Sequence, residues 1–591
     1  MLLIVDPQVD FITGSLPVPG AEKAMNSLAG YILRNRSRYS MIVVTADHHP
    51  ADHCSFKEQG GPWPTHCVAH SDGASIWPPL AKAIDMSCIP MLALGKGRDS
   101  DCEQYSAFDD PMNVDIMSLN IDFLSIDRID ICGLAGDVCV RETLKQGVAL
   151  FGRGLFHVLP QFSPKINPEV AMADDLEYFR DYPIITSFTD DDLYKFTMCC
   201  AIIDNFPRAQ VKYRFFDRDD TVYPPGFAAD VMRQLRYLEE VTITDEEIEF
   251  MKRRCSYIPH WFYNFLKGYR YDSGMVRAEQ DAEGRLHIEI EGGWSDAVLL
   301  EVKVLAIVSE LYNMRTGRLH DIDYPDFAGR SAAKAFRLIR GDCRFSDFGT
   351  RRRASFKAQD VAVKSMSNVS RESDGPGAFV GTSNVYLAMK HDLVPVGTMA
   401  HEFISAIAGM FGPQMANHLA MQAWSATYRG ALGTFLYDTY GWDIFSLNFS
   451  EDFANMFKGL RVDSGDNRHE LDLIVEKYRS LGIDSRTKQV VFSNALSTDS
   501  ALEIQKYACD KCMPSYGIGT HFTNDFPGIR PLNIVIKLVA VKITESWTFY
   551  NPTCKLSEDE GKHTGDPEVV SRFKEILHIP RPLIESALTE L

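Results

Sequence analysis

The chain has 591 residues, more than one ordinary hydrophobic core holds, so two or more domains are expected. It is 45% hydrophobic and 24% charged, as soluble enzymes are, and its formal net charge is −19. That surplus of acid argues against broad binding to nucleic acid or to an anionic membrane, while leaving room for small basic pockets that hold phosphates.

Residues 1–6 carry no basic segment and their apolar run stops at Asp6, so no signal peptide is expected. No stretch reaches the roughly 18 apolar residues of a membrane span. The best run, 532–543, is broken by Lys537 and Lys542. Thirteen cysteines are too sparse for a disulfide scaffold. Several, such as Cys132, Cys199 and Cys200, sit in apolar runs and read as reduced, which points to the cytoplasm.

Strand-like runs at 2–5, 41–45, 91–94 and 129–132 alternate with helical patterns such as 21–34 and 137–150. This rhythm predicts a doubly wound parallel sheet with helices on both faces. Ligands in such sheets sit beyond the carboxyl ends of the strands, where Asp6, Asp47 and Lys96 fall. Asp47, His49, His53 and His66 could give one carboxylate and three imidazoles to a single Zn²⁺, Fe²⁺ or Mn²⁺ ion. The competing reading is a histidine-rich surface loop.

Cys139 follows the strand at 129–132 and opens a helix. A thiol at a helix N-terminus is expected to have a lowered pKa, and the N–H groups there could hold an oxyanion. Asp6 could accept its proton and Lys96 could stabilise both charges. Taken singly, the cysteine also fits a buried small hydrophobe, and Asp6 and Lys96 fit structural roles.

A turn-rich piece at 162–168 ends this pattern, and a second rhythm runs from about 181 to the end, giving expected domains of 1–180 and 181–591. Candidate strands are 210–215, 442–447, 488–492 and 533–543, with helices at 244–254, 413–428 and 469–480. A β/α barrel with extra layers fits this alternation. Residues 557–567 are the least structured candidate. Arg351, Arg352 and Arg353 follow Gly349 and suit phosphate or carboxylate, or form a solvated turn. Gly517-Ile518-Gly519-Thr520 could cradle a phosphate, although Gly-x-Gly alone is weak. Asp463 and Asp466, at a probable strand end, suit ribose hydroxyls or Mg²⁺, or an ordinary acidic turn. His401 stands beside Glu402 at the start of a helical run.

Over residues 1–160 the run from Ile4 to Phe11, the Asp-x-His…His…His set, Gly95-Lys96-Gly97 and the run from Gly133 to Val140 resemble a nicotinamidase of the isochorismatase-like cysteine hydrolase family. The resemblance implies a catalytic triad of Asp6, Lys96 and Cys139, metal ligands Asp47, His49, His53 and His66, and aromatic walls from Phe11, Trp63 and Tyr105. It also implies an oxyanion hole from the N–H groups of Ala135 and Cys139, with a cis bond before Ala135. The chain departs from the family in reading Gly136-Asp137-Val138 before its cysteine, and in a shorter segment after Leu159.

Residues 181–591 resemble nicotinate phosphoribosyltransferase, a type II phosphoribosyltransferase with an irregular β/α barrel and an α/β sandwich domain. The resemblance implies His401 as a phosphorylated histidine and Tyr194, Thr398 and Arg461 as nicotinate contacts. Asp463, Ser493, Asn494, Gly519 and Thr520 would meet ribose and phosphate, with Arg351 and Arg353 facing the substrates. Ser383 stands where nicotinamide-using relatives carry Asp, whose charge would repel nicotinate. Together the two halves imply an enzyme that makes nicotinate from nicotinamide and joins it to phosphoribosyl pyrophosphate, with Mg²⁺ and ATP. A homodimer is open, since barrels of this class often build sites at dimer interfaces. The rival expectations are a degenerate nicotinamide sensor in the first half, and direct use of nicotinamide by the second.

Overall fold

The computed structural model describes residues 1–121, 126, 128–151, 156–167, 183–319, 322–556 and 565–577. The expected boundary near 180 lies outside these residues, as do residues 557–564 of the expected unstructured stretch. The chain divides into two compact units, Met1–Tyr182 and Pro183–Leu591. All thirteen cysteines are free. Among the described residues no helix is long and apolar enough to cross a membrane.

The first unit is a five-stranded sheet of β1 (Leu2–Val5), β2 (Ile42–Asp47), β3 (Met91–Lys96), β4 (Ile129–Gly133) and β5 (Phe156–Val158). The order is β3-β2-β1-β4-β5 and all pairs are parallel. β1 reads Leu-Leu-Ile-Val and is buried throughout, as a central strand covered on both faces must be. Helix Ala21–Arg34 follows the expected span, with Ala21, Met25, Leu28 and Ile32 on its buried face. β5 was not anticipated from the sequence and supplies the edge next to β4.

The second unit opens with β6 (Gln210–Asp217), β7 (Val276–Gln280) and β8 (Leu286–Gly293). A parallel half-barrel follows: β9 (Arg344–Asp347), β10 (Ala378–Thr382), β11 (Val394–Pro395), β12 (Thr434–Leu436), β13 (Gly459–Val462), β14 (Gln489–Phe492) and β15 (Met513–Ile518). Its order is β11-β10-β9-β15-β14-β13-β12. β16 (Ile534–Lys542) and β17 (Asn551–Pro552) complete an antiparallel sheet ordered β17-β16-β6-β8-β7.

One expected strand is wrong. Residues Trp442–Asn448 form a helix after Gly441. Trp442 and Phe445 sit three residues apart and their rings lie 5.8 Å apart, while Phe445 and Phe449, four apart, lie 4.8 Å apart. That spacing is helical. The neighbouring strand is the three-residue β12, too short to show as a pattern.

A buried ion pair ties the segment before helix Leu193–Asn205 to the barrel. Arg353 donates from Nη1 and Nη2 to Asp190 Oδ1 and Oδ2 at 2.7 and 2.8 Å, and Asn384 Nδ2 donates to Asp190 Oδ1 at 2.7 Å. Arg353 is fully buried. Its fork is occupied by Asp190, so the expectation that it faces substrate gives way to a structural role. Arg353→Met should leave the Asp190 carboxylate unpaired and lower unfolding free energy by about 3–5 kcal/mol, read from the denaturant midpoint of the second unit. Adding Asp190→Asn should recover part of the loss, whereas a cost below about 1 kcal/mol would contradict the pairing.

Candidate active sites

The first site forms where β1, β2 and β3 end. Asp6, directly after β1, takes a left-handed φ of 44°. Its N–H donates to the Thr45 carbonyl at 3.1 Å, and the Thr45 hydroxyl donates to Asp6 Oδ1 at 2.7 Å. Lys96, the last residue of β3, lies 3.0 Å from Asp6 Oδ2 and also grips Asp47 Oδ1. Its ammonium donates to the Gln104 carbonyl at 3.1 Å and stands 3.9 Å from Cys139 Sγ. All four of Asp6, Asp47, Lys96 and Cys139 are buried. Gly133, at the end of β4, has φ 132°, and a Cβ there would meet the Val5 carbonyl oxygen at 2.0 Å. Only glycine lets β4 come this close to β1. The Leu134–Ala135 peptide is cis, as anticipated, and Cys139 lies in the turn Gly136–Val140 that leads into helix Arg141–Phe151.

The charges split in an informative way. Burial pushes Asp6 up to about 6, against the pull of Lys96. Burial also works to raise Asp47, but Lys96 and His49 outweigh it and hold that carboxylate well below its usual range. The Cys139 thiol is pushed well above its ordinary value, by burial first and by Asp6 and Asp47 next, despite Lys96. The expected lowered pKa is therefore corrected: the helix start does not offset burial beside two carboxylates.

Asp47, His49 and His66 bring one ligand atom each within 4.8 Å of one another. His49 Nδ1 lies 3.0 Å from the Gly97 carbonyl and His66 Nδ1 lies 2.8 Å from the Pro64 carbonyl. Carbonyls can only accept, so both rings carry a proton on Nδ1, and Nε2 is the nitrogen a metal could take, in His49 by displacing the proton it shares with Asp47. This donor set fits a divalent transition metal. His53 stacks on His49 with ring centroids 4.0 Å apart. Its Nδ1 meets Ser55 Oγ at 2.7 Å, its Nε2 meets the Cys102 carbonyl at 3.2 Å, and it groups with His49 and Glu103.

A cavity partly open to solvent joins Cys139 and Lys96 to Asp47 and His66. Phe11, Trp63, Tyr105 and Ala135 line it as expected, and Trp63 Nε1 donates to the Tyr105 hydroxyl at 3.2 Å. Sequence reasoning missed Leu16, Glu103, Val138 and Ile166 in its wall. It also missed Gln8, which binds both the N–H and the carbonyl of Asp47. Asp137, in the divergent Gly-Asp-Val run, accepts from the N–H groups of Ile166 and Asn167 at 2.9 and 2.8 Å. It thereby pins the segment after Leu159 beside the thiol. The rest of that segment, from Pro168, lies outside the described residues.

The second site forms beyond the carboxyl ends of the half-barrel. His401 is the first residue of helix His401–Phe411. Its Nε2 lies 2.7 Å from Lys555 Nζ and 3.2 Å from Asp463 Oδ2, and its Nδ1 lies 3.0 Å from Thr439 Oγ1. An ammonium can only donate and a carboxylate can only accept, so Nε2 stands between a donor and an acceptor. Burial, then Lys555, lowers the histidine's pKa, against Asp438 and Asp463, which favours the neutral ring. Ser493 Oγ donates to Asp463 Oδ1 at 2.6 Å, and Asn494 Nδ2 donates to the Gly465 carbonyl at 3.0 Å.

Arg461 Nε is buried without a hydrogen-bond partner, a donor available to a ligand. Thr398 follows β11 and Gly519 and Thr520 follow β15. Arg351 reaches to 4.0 Å from Glu301 and is held above its ordinary pKa by Tyr194 first. Arg352 is lowered to about 10 by burial and by the charges of Arg351 and Arg218. Ser383 Oγ donates to Asp192 Oδ1 at 2.6 Å. The expectation that Ser383 keeps this spot free of carboxylate is therefore corrected: Asp192 supplies one from another segment, and burial raises its pKa.

Each unit presents a mostly buried polar cluster beyond the carboxyl ends of a parallel sheet, the layout of a two-site α/β enzyme. Residues 343–581 match the profile of the Nicotinate phosphoribosyltransferase (NAPRTase) family, and residues 189–309 match its N-terminal domain. The chain belongs to this family. It is 36% identical over 399 residues to the nicotinate phosphoribosyltransferase of Chromohalobacter salexigens, across 67% of this chain and 100% of that protein. The crystal structure of nicotinate phosphoribosyltransferase from Porphyromonas gingivalis is 38% identical, with a TM-score of 0.64 over 67% of this chain and 100% of that one. The N-terminal part is similar to other proteins. The pyrazinamidase of Pyrococcus horikoshii, solved in complex with zinc, is 32% identical over 28% of this chain and 87% of its own, with a TM-score of 0.24. A yeast nicotinamidase is 27% identical over 28% and 89%, with a TM-score of 0.25.

The resting thiol gives a direct check on this geometry. Alkylation of Cys139, followed by mass spectrometry, should rise through about pH 9 without levelling off. A plateau already reached near neutral pH would mean a preformed thiolate and contradict the charge arrangement.

Proposed function

We propose that the chain is a bifunctional enzyme of pyridine nucleotide salvage: it hydrolyses nicotinamide to nicotinate and ammonia, then converts nicotinate to its mononucleotide. The observation that carries the first step is that Lys96 and Cys139 meet at one wall of an aromatic-lined cavity, with Asp6 buried against Lys96 behind it. This complete set favours catalysis over the sensor alternative. Family membership carries the second step.

Nicotinamide fits between Phe11, Trp63 and Tyr105 with its amide carbon over Cys139. Because the thiol is protonated at rest, its proton passes to Asp6 as sulfur attacks, not beforehand. Lys96 offsets the charge that Asp6 loses and sulfur gains. Asp6 returns the proton to the departing nitrogen, and ammonia leaves. Asp6 then takes a proton from water as its oxygen attacks the thioester, which frees nicotinate and restores the thiol. Asp47, His49 and His66 would hold a divalent ion, zinc being the one in the Pyrococcus structure, and it would supply Lewis acidity toward the pyridine nitrogen.

In the second unit Arg351 faces the substrates, and Tyr194, Thr398 and Arg461 hold nicotinate. Its ring nitrogen attacks the first carbon of phosphoribosyl pyrophosphate, and pyrophosphate leaves as its Mg²⁺ complex. His401 Nε2, neutral and nucleophilic, takes the terminal phosphoryl group of ATP, and hydrolysis of that phosphohistidine draws the reaction forward. Asp463, Ser493, Asn494, Gly519 and Thr520 meet ribose and phosphate.

The two halves separate by substitution. Cys139→Ala should abolish ammonia release from nicotinamide while nicotinate is still converted to mononucleotide. His401→Ala should leave amidase activity intact and make mononucleotide synthesis insensitive to ATP. Ammonia release by the Cys139→Ala enzyme, or ATP stimulation surviving in His401→Ala, would overturn the corresponding assignment.

A further inference from the structure

One wall of the first cavity comes from the tail of the first unit, and the reaction above gives that wall no task. Ile166 lines the cavity there, with Leu16 and Val138. All three are half-buried and pack on the core cluster that holds Phe11 and Ala135. The tail is fastened to the turn that carries the nucleophile. The Gly136 N–H donates to the Pro164 carbonyl at 2.8 Å. Asp137 Oδ1 accepts from the Ile166 N–H at 2.9 Å, and Oδ2 accepts from the Asn167 N–H at 2.8 Å. Asp137 is buried, and hydrogen bonds to a carboxylate are stronger than those between neutral groups. The tail is anchored upstream as well. Phe162 is buried against Tyr31 with ring centroids 5.1 Å apart, and Ser163 Oγ donates to the Leu159 carbonyl at 3.1 Å. Ile166 is branched at Cβ, which leaves its side chain few rotamers. A stiff side chain on a fastened backbone makes a fixed wall, not a yielding one.

We propose that Ile166 sets which pyridine carboxamides the first site accepts, and that Asp137 is a positioning residue that acts through it. The inference rests on the amidase reading of that site and names its substrate class: nicotinamide and analogues that are unsubstituted at carbon 5 of the ring. In that reading the amide carbon lies over Cys139 and the ring nitrogen faces Asp47 and His66, while Phe11, Trp63 and Tyr105 flank the ring. Carbon 5 is meta both to the ring nitrogen and to the carbon that bears the amide. It therefore points to the wall that neither anchor uses. Leu16, Val138 and Ile166 are the apolar side chains left to form that wall. A methyl group on carbon 5 overlaps Ile166, and a packed apolar wall gives way only at a cost. One added carbon in such a pocket is worth about 10–200-fold in discrimination.

The test compares 5-methylnicotinamide with nicotinamide on the full chain. Ammonia release gives the ratio of their kcat/KM values within each variant, methylated over unmethylated. The parent enzyme should favour nicotinamide by about tenfold or more. Ile166→Ala removes the obstruction and should raise the ratio about tenfold. Ile166→Val trims less, should raise it less, and serves if the first variant folds poorly. Asp137→Asn turns an N–H donor toward one of the two backbone N–H groups and frees the tail. It should also raise the ratio, with KM for nicotinamide rising more than kcat falls. Asp137→Asn combined with Ile166→Ala should do no better than Ile166→Ala alone, since both act through one side chain. A ratio unmoved by Ile166→Ala and Ile166→Val overturns the proposal and leaves the amidase reading standing. So does a parent enzyme that takes both amides equally. Additive effects in the double variant, or a ratio unmoved by Asp137→Asn, overturn the role given to Asp137. Absence of ammonia from nicotinamide with the parent enzyme overturns the amidase reading and the inference with it.

Discussion

One buried ammonium shared by two carboxylates organises each half of this chain. Lys96 stands between Asp6 and Asp47, and Lys195 between Glu301 and Glu402. Removing three charged groups from water is costly, and it is tolerated only when the geometry pairs them closely. In the first unit that demand locks together the ends of β1, β2 and β3, each contributing one member. The two acids do not become equivalent. Asp47 has His49 as a second partner and stays ionised, whereas Asp6 relies on Lys96 and Thr45 and rises to about 6. One environment thus yields a fixed carboxylate for a metal and a carboxylate able to trade a proton near neutral pH.

The same burial decides the style of the chemistry. A thiol enclosed by two carboxylates and one ammonium is stable as a thiol, so sulfur becomes nucleophilic only as its proton moves. At the second site burial first, and a neighbouring ammonium next, favour a neutral histidine. In both places burial is the largest influence on the protonation state, opposed by Lys96 at the thiol and reinforced by Lys555 at the histidine.

Much of the architecture was legible in the sequence because its signals were local. β1, β2, β3 and β4 are continuous aliphatic runs, and Asp6, Lys96 and the turn around Cys139 follow directly at their ends. Asp47, His49 and His66 cluster within twenty residues of chain, so a ligand set could be read from spacing. What failed depended on distant partners. Arg353 reads as an anion binder until Asp190 is seen in its fork. The serine at 383 suggests a spot without charge, yet Asp192 arrives there from another segment. Lys195 and Glu301 lie in apolar helices where periodicity marks only core, and nothing in the linear order announces that they pair. The lone signal was a charge in the middle of each hydrophobic run, which is costly unless its partner is elsewhere in the fold.

The most direct measurement follows nicotinamide whose carboxamide nitrogen is isotopically heavy, supplied with phosphoribosyl pyrophosphate and ATP to the full chain. Mass spectrometry should find heavy ammonia and a nicotinate mononucleotide that carries none of the label. A mononucleotide that retains the heavy nitrogen, or unlabelled ammonia with nicotinamide left intact, would contradict the two-step account.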